Sequence, residues 1–129
     1  MVNRIAICDD VEVERFVLKR QLMVYFQTNG REAQIQEYES GESLLADIEE
    51  GYIWPDLIFL DIYMGDLNGM DTARKLRDLG VKAPIVFLTA SPDFAFESYE
   101  VEASGYLLKP AEEKQTTAIL NRLLKSELR

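Results

Sequence analysis

The 129 residues suit a single domain, and a net charge of -9 with an isoelectric point near 4.5 argues against nucleic-acid binding by the overall field of the chain. A single cysteine excludes an internal disulfide and fits a reducing cytoplasm, the lack of histidine removes the ordinary zinc ligands, and no apolar run approaches the length of a membrane span. Carboxylates are plentiful, and oxygen ligands of that kind suit magnesium or calcium.

"RIAIC" (4–8) reads as a short apolar strand, and it runs straight into the paired acids Asp9 and Asp10. From about 11 to 27, Val13, Phe16, Val17, Arg20, Leu22 and Val24 recur at mostly helical spacing, and "TNG" (28–30) ends that helix. "AQIQEY" (33–38) alternates and predicts a more exposed strand. Ser40 can cap the next helix, with Ser43 in its first turn, and Gly51 stops it. "PDLIFLD" (55–61) is apolar without a break, the pattern of a strand covered on both faces. "MDTARKLRDLG" (70–80) predicts a helix ended by Gly80, and "APIVFLTA" (83–90) a second unbroken strand. Ser91 and Pro92 open a helix to about Val101, with Pro92 in its first turn. "GYLLKP" (105–110) is a short strand, and about 112 to 128 closes the chain as an amphipathic helix with Leu120, Leu123 and Leu124 inward.

Strand and helix alternate five times, with no internal repeat, low-complexity tract or linker. Such alternation predicts an α/β fold in which one parallel sheet carries helices on both faces, joined by right-handed crossovers. In such sheets sites form beyond the carboxyl ends of the strands, where strand order reverses. Here the first strand ends at Asp9 and Asp10, the third at Asp61, the fourth at Thr89 and the fifth at Lys109 and Pro110. If those strands are neighbours, three carboxylates, a hydroxyl and an ammonium meet on one patch.

Carboxylates within about 4–6 Å of each other push at least one pKa upward unless a cation neutralises them. Magnesium takes one or two carboxylates and prefers to bind beside a phosphate. An aspartate next to a divalent ion, a lysine and a hydroxyl is placed to attack phosphorus. Taken singly, each residue has an ordinary explanation: Asp9 or Asp10 as a turn former, Thr89 as a cap, Lys109 as a solvated lysine, Cys8 as a small core residue. Only the joint pattern at four strand ends outweighs these. Pro110 can serve as a strand stop, or as a cis peptide that fixes where Lys109 points.

These residues carry a resemblance. "CDD" (8–10), "LIFLDIYM" (57–64) with "NGMD" (68–71), "IVFLTAS" (85–91) and "GYLLKP" (105–110) together resemble the receiver domain of two-component response regulators, over essentially the whole chain, 1–129. "ESYEVEASGYLLKP" (97–110) further resembles the LytTR group, whose members usually carry a DNA-binding domain after the receiver. The resemblance implies a flavodoxin-like fold of five parallel strands in the order 2-1-3-4-5 with five helices. It implies that Asp61 accepts a phosphoryl group from a phosphohistidine on a partner sensor kinase. Asp10 and Asp61 would hold Mg²⁺ directly, Asp9 mostly through water, and the backbone carbonyl of Tyr63 would complete the protein ligands. Thr89 would donate to a phosphate oxygen, Lys109 would pair with it, and Tyr106 would be the switch aromatic. The readout surface would be the fourth helix, fifth strand and fifth helix, about 91 to 128, with homodimerisation on phosphorylation. The implied role is a cytoplasmic signalling domain that catalyses only its own phosphorylation and dephosphorylation, and neither binds nucleic acid itself nor enters a membrane.

Gly65 stands where many members have proline, which predicts a more mobile "MGDLNG" loop, and Asp66 adds a nearby charge in a solvated turn. Glu12 is placed either at the mouth of the site or, as a first-turn acid, in support of its helix. Tyr63 is bulky enough to shield a phosphoaspartate from water. Two other functional classes compete: a magnesium-dependent phosphohydrolase with an aspartyl-phosphate intermediate, and a degenerate receiver serving only as a binding module. The first usually needs a second acid near the nucleophile, where Tyr63 stands. The second has no need to keep like charges crowded together.

Overall fold

In the computed structural model, described for residues 2–64, 67–90 and 100–125, five strands form one parallel sheet in the order β2-β1-β3-β4-β5. The strands are β1 (Val2–Cys8), β2 (Glu32–Tyr38), β3 (Leu57–Asp61), β4 (Ile85–Thr89) and β5 (Gly105–Leu108). The described helices are α1 (Glu12–Thr28), α2 (Gly41–Glu49), α3 (Gly69–Asp78) and α4 (Glu113–Lys125). The helix predicted from 91 to about 101, the loop positions Gly65 and Asp66, and the tail beyond 125 lie outside the described residues, save Glu100 and Val101, which make a 3₁₀ turn. None of the described helices is long and apolar enough to cross a membrane.

The unbroken apolar runs form the centre of the sheet, and their two faces separate with a period of two. Ala6, Cys8, Ile58, Leu60, Ile85 and Phe87 turn to α2 and α3, where Leu44, Ile48, Met70 and Leu76 meet them. Ile5, Ile7, Leu57, Phe59, Val86, Leu88 and Leu107 turn to α1 and α4, against Leu18, Leu22, Phe26, Leu120 and Leu124. Each buried Val, Leu, Ile, Met or Phe among them contributes about 1.5–3 kcal/mol by leaving water. The chain steps from β1 outward to β2, then back across β1 to β3, so right-handed crossovers place α1 and α2 on opposite faces. The reversal between β1 and β3 opens a crevice at their carboxyl ends.

Helix α1 departs from its expected register. Leu22 is buried as its spacing implied, but Val13, Phe16, Val17 and Val24 are exposed, and Leu18, Tyr25 and Phe26 join Leu22 on the covered face. Apolar residues fall all round this helix, so periodicity alone does not select its inward side. The larger stripe Leu18, Leu22, Tyr25 and Phe26, at i, i+4, i+7 and i+8, wins because it buries more area. Polar ties hold the choice: the Tyr25 hydroxyl donates to Asn121 Oδ1 at 2.7 Å, and Gln21 Nε2 to the Ala111 carbonyl at 2.9 Å.

The other helix ends follow the sequence closely. Ser40 Oγ accepts from the Ser43 N–H, and Asn68 Oδ1 caps α3 by accepting from the Asp71 N–H. Gly69 then lets the start of α3 approach the end of β3. A Cβ there would stand 2.2 Å from the Asp61 carbonyl oxygen and 2.8 Å from Ile62 Cα, both backbone atoms that cannot swing away. At the far end of α3, Arg77 gathers carbonyls of Val81, Ala83 and Val101 at 2.8 Å each.

Urea denaturation separates the two sides of α1: Leu22→Ala lowers stability by about 2–5 kcal/mol, while Val24→Lys stays within about 0.5 kcal/mol of the parent. An equal loss from both would mean that α1 packs in the other register. Gly69→Ala costs about 1–3 kcal/mol through forced displacement of backbone, and an unchanged urea midpoint would refute the close approach.

Candidate functional site

The strand ends predicted from the sequence converge on one spot. β1 and β3 are paired up to Cys8 and Leu60, so Asp9 and Asp61 follow side by side. The Asp9 N–H donates to the Tyr38 carbonyl at 3.0 Å, and its Oδ1 accepts from the Val11 N–H at 2.9 Å. This Asx turn starts α1, whose N-cap Val11 has no capping side chain of its own. Asp9 is therefore a turn former and a member of the cluster at once. Asp9 and Asp61 are buried, Asp10 is exposed, and Thr89 is fully buried at the end of β4. The Lys109 N–H extends the β4–β5 ladder to the Thr89 carbonyl at 2.7 Å, and the Lys109–Pro110 peptide is cis.

One carboxylate oxygen from each of Asp9, Asp10 and Asp61 lies within 4.8 Å of the others. Opposite ligands of an octahedral magnesium ion stand about 4.2 Å apart. The three acids therefore fit such an ion after small side-chain rotations or with intervening water, and an all-oxygen donor set suits its chemistry. Tyr63 belongs to the same loop: its N–H donates to Asp61 Oδ1 at 3.4 Å, while its side chain is 52% exposed.

Lys109 holds the acids together. Its Nζ lies 2.8 Å from Asp9 Oδ2 and 3.2 Å from Asp61 Oδ2, and it also donates to Glu14. Burial alone would lower the lysine pKa; the carboxylates of Asp9, Glu14 and Asp61 outweigh it and raise the pKa, so the ammonium stays charged. Asp61 is pushed up to about 7, first by burial and then by the Asp9 charge, against the pull of Lys109. Cys8, one residue before the cluster, has its thiol pKa raised by burial and by the neighbouring acids, so it remains a neutral core residue.

Two participants escaped the sequence analysis. Glu14 completes the shell of Lys109; its only sequence signal was that of a first-turn acid. Glu12 lies in the first turn of α1, the second of the two places expected for it, and borders a recess with Arg15, Phe16 and Glu37. Arg15 lies buried on the covered stripe of α1, i to i+3 with Leu18, and its Nη1 donates to the Asp9 carbonyl at 2.6 Å. A buried charge demands partners, a signal that becomes readable only once the inward side of α1 is known. Tyr106 is half-buried on the sheet face that meets α2 and α3. Between Lys109 and α1, a cleft of about 100 Å³ is walled by Val13, Val17, Leu18, Pro110 and Ala111.

Comparison with known proteins now adds to this geometry. The chain is 31% identical over 122 residues to the sensory transduction protein LytT of Bacillus subtilis, covering 95% of this chain and 48% of that protein. It is 29% identical over 110 residues to the transcriptional regulatory protein YpdB of Escherichia coli, covering 85% of this chain and 44% of that protein. The chain thus spans about half the length of these curated relatives. The response regulatory domain of protein mrkE from Klebsiella pneumoniae superposes with a TM-score of 0.84 at 26% identity, over 98% of this chain and 99% of that one. The family model for the response regulator receiver domain matches residues 5–121, with every strand end of the cluster inside it, and the chain belongs to that family.

Proposed function

We propose that Asp61 accepts a phosphoryl group from a phosphohistidine of a sensor kinase, and that the resulting change at the carboxyl edge of the sheet controls an output. The observation that carries this is the ammonium of Lys109 shared between buried Asp9 and Asp61 beside a third acid, Asp10. In the transfer, Asp61 Oδ attacks phosphorus, the P–O bond forms as the P–N bond of the donor breaks, and imidazole leaves with the electron pair. Lys109, already 3.2 Å from Asp61 Oδ2, meets the charge on the phosphoryl oxygens, and the Thr89 hydroxyl donates to one of them. Asp10 and Asp61 would hold a magnesium ion directly, with Asp9 mostly through water and the Tyr63 carbonyl in support. When bound, that ion supplies charge neutralisation for the incoming phosphoryl group.

Phosphorylation adds about -1.5 to -2 charges and several strong acceptors. Drawing Thr89 and Lys109 toward them favours an inward Tyr106, and a full reversal of population needs about 5 kcal/mol of preference. A few charge-assisted hydrogen bonds supply that. The exposed Val13 and Val17 at the Lys109 cleft, with exposed Phe16 on the same helix, offer the kinase an apolar platform. The output is transcriptional, through a DNA-binding domain outside these residues, with dimerisation through β5 and α4; the fourth predicted helix, the rest of the expected face, lies outside the described residues. The similarity to LytT and YpdB supports this reading.

A small acyl phosphate labels the chain only with Mg²⁺ present, and Asp61→Asn abolishes the label; retention of label by that variant excludes Asp61 as acceptor. Burial also gives Asp61 a pH signature. Its folded-state pKa of about 7 exceeds the ordinary 3.8, so the protonated form favours the fold, and this contribution is lost as pH rises from about 4 through 7. In chelated buffer, Asp61→Asn therefore melts several degrees above the parent at pH 8, and the gap closes toward pH 4. A gap of equal size at both pH values would refute the raised pKa.

A further inference from the structure

We infer that Arg15 is a positioning residue that sets the direction of the Asp9–Asp10 peptide and thereby the affinity of the acid cluster for a divalent cation. This rests on the magnesium-dependent acceptor role proposed above. Arg15 is 7% exposed, and Nη1 donates to the Asp9 carbonyl oxygen at 2.6 Å. Nε donates to Glu37 Oε1 at 3.4 Å, and Nη2 lies 3.9 Å from Glu39 Oε1. The planar guanidinium thus ties the end of β1 to the end of β2, where a single ammonium reaches fewer partners.

The place of the contact matters more than its strength. The peptide before Asp9 is held through its N–H to Tyr38, at 3.0 Å. The peptide after it is held through its carbonyl by Arg15. Asp10 follows directly, and its carboxylate, unlike that of Asp9, is exposed. Rotation of the Asp9–Asp10 peptide would swing the Asp10 carboxylate away from Asp61. Arg15 resists that rotation from beneath, without facing the phosphoryl group.

Charge and positioning predict opposite signs, which makes the inference testable. As a nearby cation, Arg15 opposes the entry of another, so deleting its charge alone should tighten Mg²⁺ binding. As a support for the ligands, its loss should weaken binding on the order of tenfold, the range for residues that orient metal ligands. Calorimetric titration of the intact chain with Mg²⁺, repeated with Mn²⁺ by electron paramagnetic resonance, measures this directly. Arg15→Gln is expected to bind about tenfold more weakly. Arg15→Lys keeps the charge and loses the fork, so its affinity is expected between that of Arg15→Gln and the parent. If Arg15→Gln fails to fold, Arg15→Lys still decides. Affinity equal to or above that of the parent in the folded variants overturns the inference while leaving the acceptor site intact. No Mg²⁺ binding by the parent chain overturns the acceptor role itself.

Discussion

The buried crowding of Asp9 and Asp61 around the ammonium of Lys109 is the constraint on which the site depends. Two carboxylates at the end of a hydrophobic core repel each other and have lost much of their hydration. Lys109 reaches both from the far side of the sheet, 2.8 Å from one and 3.2 Å from the other. The compensation is incomplete, since the Asp61 pKa still rises to about 7. A patch left short of positive charge is one where a further cation would be favoured. The fold accepts an electrostatic penalty here that the rest of the core must carry.

The sheet supplies that support. Its central strands are buried on both faces, so their ends are fixed in register rather than free to drift. The step back across β1 leaves the crevice into which the ends of β1 and β3 open. Gly69 brings α3 against the backbone of Asp61, and the Asn68 cap secures that start. The Asp61 carboxylate is thus held by packing behind it and by ion pairing in front.

Most of this was legible in the sequence because its signals are local. Unbroken apolar runs announced the inner strands, Ser40 announced the start of α2, and active residues at four strand ends announced the site. The failures share one cause, which is that they depend on which side of α1 faces inward. Apolar residues surround that helix, so spacing favoured Val13, Phe16 and Val17 although packing chose Leu18, Tyr25 and Phe26. With the phase misjudged, the roles of Glu14 and Arg15 could not be seen, for both act through the orientation of α1. Glu14 and Lys109 are separated by 95 positions, a contact that only the folded sheet creates.

The Asx turn at Asp9 has a mechanical corollary. One oxygen of that carboxylate accepts the Val11 N–H that begins α1, and the other holds Lys109. The helix is therefore hinged on the same side chain that faces the crevice and pairs with Lys109. A molecule resting on Val13 and Phe16 stands within a turn or two of that hinge. Any shift of that carboxylate would therefore be passed to the first turn of the helix before it reached the rest of the molecule.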